Sequence, residues 1–287
     1  MTIRQEAPRR HAGHALSFAT ELRRQASRRV TWIAVSVMAA LPLVILVGLA
    51  IGGVPEAAAG PRSQFEDLGS LASSSGLNFA TFTVFTSGWM LLAIVFAALF
   101  GDAVAGEAKD GTLRYLLAVP VPRGRLLTVK LLVALTYSAG SVVLLVVVAL
   151  AGGSLRYGWG PLNSSITSAV APGPAFVRLC AVTGYLVVAM LAVAGVAFLL
   201  SVLVDSSVAA AGGALLAYTT STILDQVAAL GAIRNVFPTH YGDAWLGLLT
   251  SPVHTDMVLR GTALSLGYAA LAFGAAWWCF LRRDVLN

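Results

Sequence analysis

Six long runs of apolar residues, parted by short polar stretches, set the pattern of this chain at about 30–53, 79–101, 129–152, 175–204, 206–225 and 260–281. A helix rises 1.5 Å per residue, so each run is long enough to cross a hydrocarbon core of about 30 Å. Only Val204-Asp205-Ser206 separates the fourth run from the fifth, which predicts a tight turn. Ala57-Ala58-Ala59 follows the first run like a cleavage site, but that run has 24 residues where a signal peptide's apolar core has about 7–15. It reads as a span. The predicted fold class is therefore all-α: one transmembrane domain over residues 1–287, a polytopic membrane protein with six transmembrane helices.

The polar stretches carry their own pattern. Residues 1–29 form an N-terminal segment with a basic amphipathic helix over about 14–29, in which Ala15, Phe18, Ala19, Leu22 and Ala26 share a face and Glu21, Arg23, Arg24 and Arg28 lie elsewhere. Such a helix either lies in the membrane surface or extends the first span into solvent. Residues 226–259 are apolar but interrupted, with Pro238, Trp245 and Pro252. They read as short helices re-entering the outer leaflet, in preference to an ordinary folded outer loop with interfacial aromatics.

Composition and charge fix the setting and the orientation. The chain is 57% hydrophobic and 11% charged, with mean hydropathy +0.81, whereas soluble domains carry about 25% charged residues. Of 19 Lys and Arg, 14 fall before the first span, between the second and third, or after the sixth; five fall in the other segments. Positive charge marks the inner side, so the N- and C-termini and the 102–128 loop are expected in the cytoplasm of a multi-pass protein of the cell (plasma or inner) membrane, in contact with lipid. No basic domain with interleaved aromatics exists, so no nucleic acid is expected. Cys180 and Cys279 sit in spans at opposite membrane faces and read as buried, inert thiols.

No HExxH, GxSxG or paired acidic motif occurs in the spans, so no catalytic residue and no metal site is predicted. His240 and His254 lie near Asp243 and Asp256, but their spacing matches no common metal site. GxxxxGK[ST] is absent, so energy from ATP would have to arrive through another subunit. Within the spans, Thr83, Thr86, Ser87 and Met90 recur at helical spacing, as do Tyr218, Ser221, Thr222 and Asp225. These two stripes are candidates for a substrate path, against the bland role of helix–helix glue. Ala209, Gly213 and Ala217 form a ridge of small residues suited to close packing within or between chains.

The stretch 101–130 stands out, with eight charged residues between two spans. Asp110-Gly111 reads as a break, Thr112 as the cap of a short helix bearing Leu113, Leu116 and Leu117, and Pro120 and Pro122 as its stop. Glu107, Gly111-Thr112-Leu113-Arg114, Leu116-Leu117, Pro120-Val121 with Arg123, and a Lys130 opening the third helix together resemble the first cytoplasmic loop of ABC transporter type-2 permeases. Pro122 stands where that family more often has serine. The six-span layout extends the resemblance over the whole chain. It implies the permease subunit of an ABC exporter that moves a hydrophobic or amphipathic substrate (drug, antibiotic or lipid-like) out of the cytoplasm by alternating access. It also implies two separate ATPase subunits that bind ATP and Mg, a second permease (a copy or a paralogue), and no cofactor or enzyme activity in this chain. Glu107, Gly111, Thr112, Leu113, Arg114, Leu116, Leu117, Pro120 and Arg123 would form the ATPase-docking coupling loop. An ion-coupled secondary transporter, or a membrane anchor or assembly factor without transport, are the other readings.

Overall fold

The computed structural model describes residues 17–52, 64–109, 122–163 and 168–282. Among them the chain forms α1 (Phe18–Ala26), α2 (Arg29–Gly52), α3 (Gln64–Leu71), α4 (Gly76–Lys109), α5 (Arg123–Tyr157), α6 (Pro172–Ala189), α7 (Leu191–Leu203) and α8 (Ser207–Gln226). Two 3-10 segments, Ala228–Val236 and Pro238–Trp245, lead through α9 (Leu246–Leu249) to α10 (Asp256–Arg282). No strand occurs among the described residues. Six helical stretches, 29–52, 76–107, 124–157, 172–203, 207–226 and 256–282, are long and apolar enough to cross a membrane. The chain is an all-α, multi-pass membrane protein.

The second and fourth spans form the centre. In their most apolar windows 56% and 61% of residues are buried, against 11% in the fifth span. Phe100 of α4 meets Phe198 of α7 edge-on at 6.3 Å and Phe273 of α10 at 6.0 Å, which ties the second, fourth and sixth spans together. Lipid tails are as apolar as these side chains, so close-packed dispersion, rather than escape from water, holds such a core. Trp32, Val44 and Val47 on the first span and Leu271 on the sixth point outward.

Several boundaries differ from the sequence expectation, each for a physical reason. The second span was expected to end at Gly101, but α4 runs on to Lys109. The third apolar run spans about 129–152, and its helix α5 begins at Arg123, after Pro122, where the prolines were expected to end the preceding helix and let a new one start. Asp102, Glu107 and Lys130 look like loop residues by hydropathy, yet all three are buried and paired, so helical structure continues through them. The amphipathic helix ends at Ala26, with a turn at Ser27 before α2, so it is a separate element and not an extension of the first span. Ser17 caps it by accepting from the Thr20 amide at 3.2 Å. The 204–206 connection is tight, and Ser206 caps α8.

Two smaller expectations also shift. On the fifth span Ala210 and Ala214 are the buried small residues, while Ala209 and Ala217 face outward and only Gly213 of the expected ridge meets a neighbour, the Leu200 side chain. Cys180 is exposed on the outer surface of α6 and Cys279 is half-buried, so neither is the sealed core thiol expected.

Candidate functional site

At the end of the bundle where the segment 110–121 attaches, three cations and three carboxylates, from α1, the turn that follows it, α4 and α5, form one knot. Glu107 of α4 is fully buried and lies 2.6 Å from Lys130 Nζ of α5, 3.1 Å from Arg24 Nη1 of α1 and 3.5 Å from Arg28 Nη2. Lys130 Nζ also donates to Glu21 Oε1 at 3.0 Å. Arg28 Nη1 donates to Asp102 Oδ2 at 2.6 Å and to the Asp102 carbonyl at 3.2 Å. Tyr137 of α5 donates its hydroxyl to the Leu22 carbonyl at 2.9 Å, a further tie on α1. Burial acts to lower the Arg28 pKa, but Asp102 first, then Glu107 and Glu21, raise it above its ordinary value. A raised value means its stabilisation is whole up to strongly alkaline pH and fades only as pH climbs past the raised value, so Arg28 is charged at every physiological pH.

The knot turns α1 over. Glu21, Arg24 and Gln25 of α1, with Arg28 just past its end, meet protein, and its apolar Phe18 and Ala19 are left exposed. An uncovered apolar face beside a membrane span suits burial in the bilayer surface. Of the expected docking residues, Glu107 is the centre of this knot and Arg123 opens α5. Gly111, Thr112, Leu113, Arg114, Leu116, Leu117 and Pro120 lie outside the described residues. The knot therefore stands at the two roots of the segment 110–121.

Toward the opposite end of the bundle, the second and fourth spans are both interrupted beside a cavity. Gly88 breaks α4 with φ 57° and ψ 157°, backbone that favours glycine, and Met190 separates α6 from α7. The cavity holds about 310 Å³, and Trp89, Met190, Tyr218, Thr222, Asp225 and Asp243 are in its wall. A neighbouring cavity of about 210 Å³ shares Trp89 and Asp243 with it. The segment 228–249 closes this end as short interrupted helices, packed on the fourth, fifth and sixth spans through buried Tyr241, Trp245 and Leu248.

Named contacts hold that segment. Asp225, one residue from the outer end of α8, accepts from His240 Nδ1 at 2.7 Å and lies 3.5 Å from Arg234 Nε. Tyr185 donates to the Tyr241 carbonyl at 2.6 Å, and Arg178 Nη1 to the Thr250 carbonyl at 2.8 Å. A Cβ on Gly261 would sit 2.5 Å from Tyr185 Oη and 2.7 Å from Tyr241 Cβ. Gly261→Ala is thus expected to force these groups apart and cost about 1–3 kcal/mol, the usual penalty of overpacking, read as a lowered thermal midpoint in detergent.

The two candidate stripes part company. Tyr218, Thr222 and Asp225 line the larger cavity, and Ser221 Oγ lies 2.8 Å from Thr239 Oγ1 at its edge. Thr83 and Ser87 are buried and donate to the carbonyls of Phe79 and Val84, at 2.9 and 2.6 Å. The buried Thr86 hydroxyl has no hydrogen-bond partner among the described residues, and Met90 is exposed beyond the Gly88 break. The break interrupts the helical spacing that had joined these four. His254 Nδ1 lies 3.0 Å from Thr250 Oγ1 while His240 serves Asp225, and no three His, Cys, Asp or Glu side chains converge among the described residues.

The chain matches the family described as Protein of unknown function (DUF2705) over residues 36–286. It belongs to that family. The match spans both cavities and the Asp102–Glu107–Lys130 part of the knot, and it begins after α1. No curated protein matches the chain.

Sequence reasoning placed Glu107 at the inner end but missed its five partners in the knot. The available signal was the Glu21, Arg24, Arg28 spacing, one turn and then another, which a solvated face would show equally. It missed Trp89 and Met190, because breaks at Gly88 and Met190 leave no mark in hydropathy.

Proposed function

We propose that this chain is the permease subunit of an ATP-driven exporter in the cell membrane, with separate ATPase subunits docking on the segment 110–121. The observation that carries the reading is the knot at the roots of that segment. A motor pushing on a loop moves the bundle only if the loop's roots are stiff. Here both roots, Glu107 on α4 and Lys130 on α5, are locked 2.6 Å apart and to α1 in a buried ion-pair network. A displacement of the loop then moves the second and third spans as a unit, and the second span borders both outer cavities.

A second permease fits the same reading. The fifth span is the least apolar of the six by its best window and also the least covered. A helix carrying Thr219, Thr220 and Ser221 would lose little by leaving lipid for a protein neighbour.

The test is isolation of the affinity-tagged chain from its native membranes in mild detergent. Copurification of an ATP-binding protein at one per permease is the expected result. Recovery of the chain with no nucleotide-binding partner would favour the ion-coupled carrier or the anchor.

A further inference from the structure

We propose that the outer cavity binds amphipathic organic cations: a small aromatic or alkyl body with one fixed positive charge. The proposal deepens the exporter reading by naming a ligand class, and its binding claim stands on the cavity alone.

The wall of the cavity is electrically one-sided. Two carboxylates, Asp225 and Asp243, belong to it, and among the described residues the only basic side chain lining it is His240. Asp225 is occupied, with His240 at 2.7 Å and Arg234 Nε at 3.5 Å. Asp243 is exposed, and among the described residues no ion pair or hydrogen bond reaches it, so its carboxylate is open to a ligand entering the cavity. Asp243 and Trp89 are the two residues common to both cavities. A cation at that junction would meet a carboxylate and an indole together.

The rest of the wall suits the remainder of such a ligand. Trp89 is held in place: Tyr185 meets it edge-on at 6.4 Å, and Gly242 approaches so closely that an added Cβ would lie 3.2 Å from its indole nitrogen. Tyr218 adds a second ring and Met190 a polarisable thioether. Aromatic faces attract cations through their ring quadrupole, and weakly hydrated organic cations most, because they lose little water on entry. A volume of about 310 Å³ admits a single-ring compound and matches the lower range of small-molecule sites. An anion of the same size would meet Asp243 unscreened.

The experiment uses the full chain in zwitterionic nanodiscs and two probes of similar shape and opposite charge, benzyltrimethylammonium and phenylmethanesulfonate. Ligand-observed NMR titration gives the apparent affinity of each. Saturable binding of the cation, at least threefold tighter than the sulfonate, is expected. In Asp243→Asn and Trp89→Leu the cation should weaken at least threefold, with the sulfonate no weaker in Asp243→Asn. No saturable cation binding, a preference under threefold, or a loss under threefold in Asp243→Asn overturns the proposal. Should either variant misfold, the two probes on the unaltered chain still decide. No ATPase subunit is present, so this titration tests the site alone; failure to copurify an ATP-binding protein would sink the exporter reading and leave the site standing.

Discussion

Glu107→Leu is expected to be the most damaging single substitution in the chain outside the apolar core. The side chain is wholly buried, and its removal leaves Lys130, 3% exposed, with Glu21, and takes from Arg24 its 3.1 Å ion pair. Forming a buried ion pair contributes little net stability, because desolvation offsets attraction. Breaking one by removing a single partner costs about 3–5 kcal/mol, because a charge is stranded in a poor dielectric. The expected result is a large fall in the thermal midpoint in detergent and reduced recovery of monodisperse protein. The double variant Glu107→Leu/Lys130→Met removes the stranded ammonium along with the carboxylate and is expected to regain more than half of the loss. If Glu107→Leu melts like the unaltered chain, the knot is not the structural root assigned here.

The second large effect concerns function, not folding. Leu116→Glu with Leu117→Glu is expected to reduce export to background, at least tenfold, while leaving the amount of chain in the membrane unchanged. Two carboxylates placed in an apolar docking surface would be desolvated without partners, which defeats association with the ATPase subunit. The knot is untouched by this change, so the bundle should keep its thermal midpoint. Transport at the unaltered rate in that variant would remove the docking role of the segment 110–121.

The contrast between those variants reflects what the sequence could and could not show. Hydropathy located all six spans to within a few residues at the outer ends, because lipid demands unbroken apolar runs there. It failed at the inner ends of the second and third spans. Asp102, Glu107 and Lys130 are charged, and hydropathy cannot know that Arg28, Arg24 and Glu21, from α1 and the turn after it, 74 to 109 residues away, neutralise them. The same blindness hid the partners of α1: its sequence reads as a helix lying in the membrane surface or extending into solvent, although its charged groups face opposite charges on protein. Asp225 was legible as a costly residue near a membrane span, but its place at the outer end, paired to His240, depended on how 228–249 folds back. The Trp89–Asp243 junction was not legible at all. It exists because Gly88 breaks one span and Pro238–Trp245 carries an aspartate against it, a juxtaposition of residues more than 150 positions apart.

The most direct test of the central claim is reconstitution in proteoliposomes with whatever ATP-binding protein copurifies. The measurement is the rate at which a fluorescent amphipathic compound crosses the bilayer. The account predicts movement that requires both proteins and hydrolysable ATP, stops with a non-hydrolysable analogue, and is lost with Leu116→Glu/Leu117→Glu. Movement by this chain alone down an imposed proton or sodium gradient, indifferent to ATP, would contradict it.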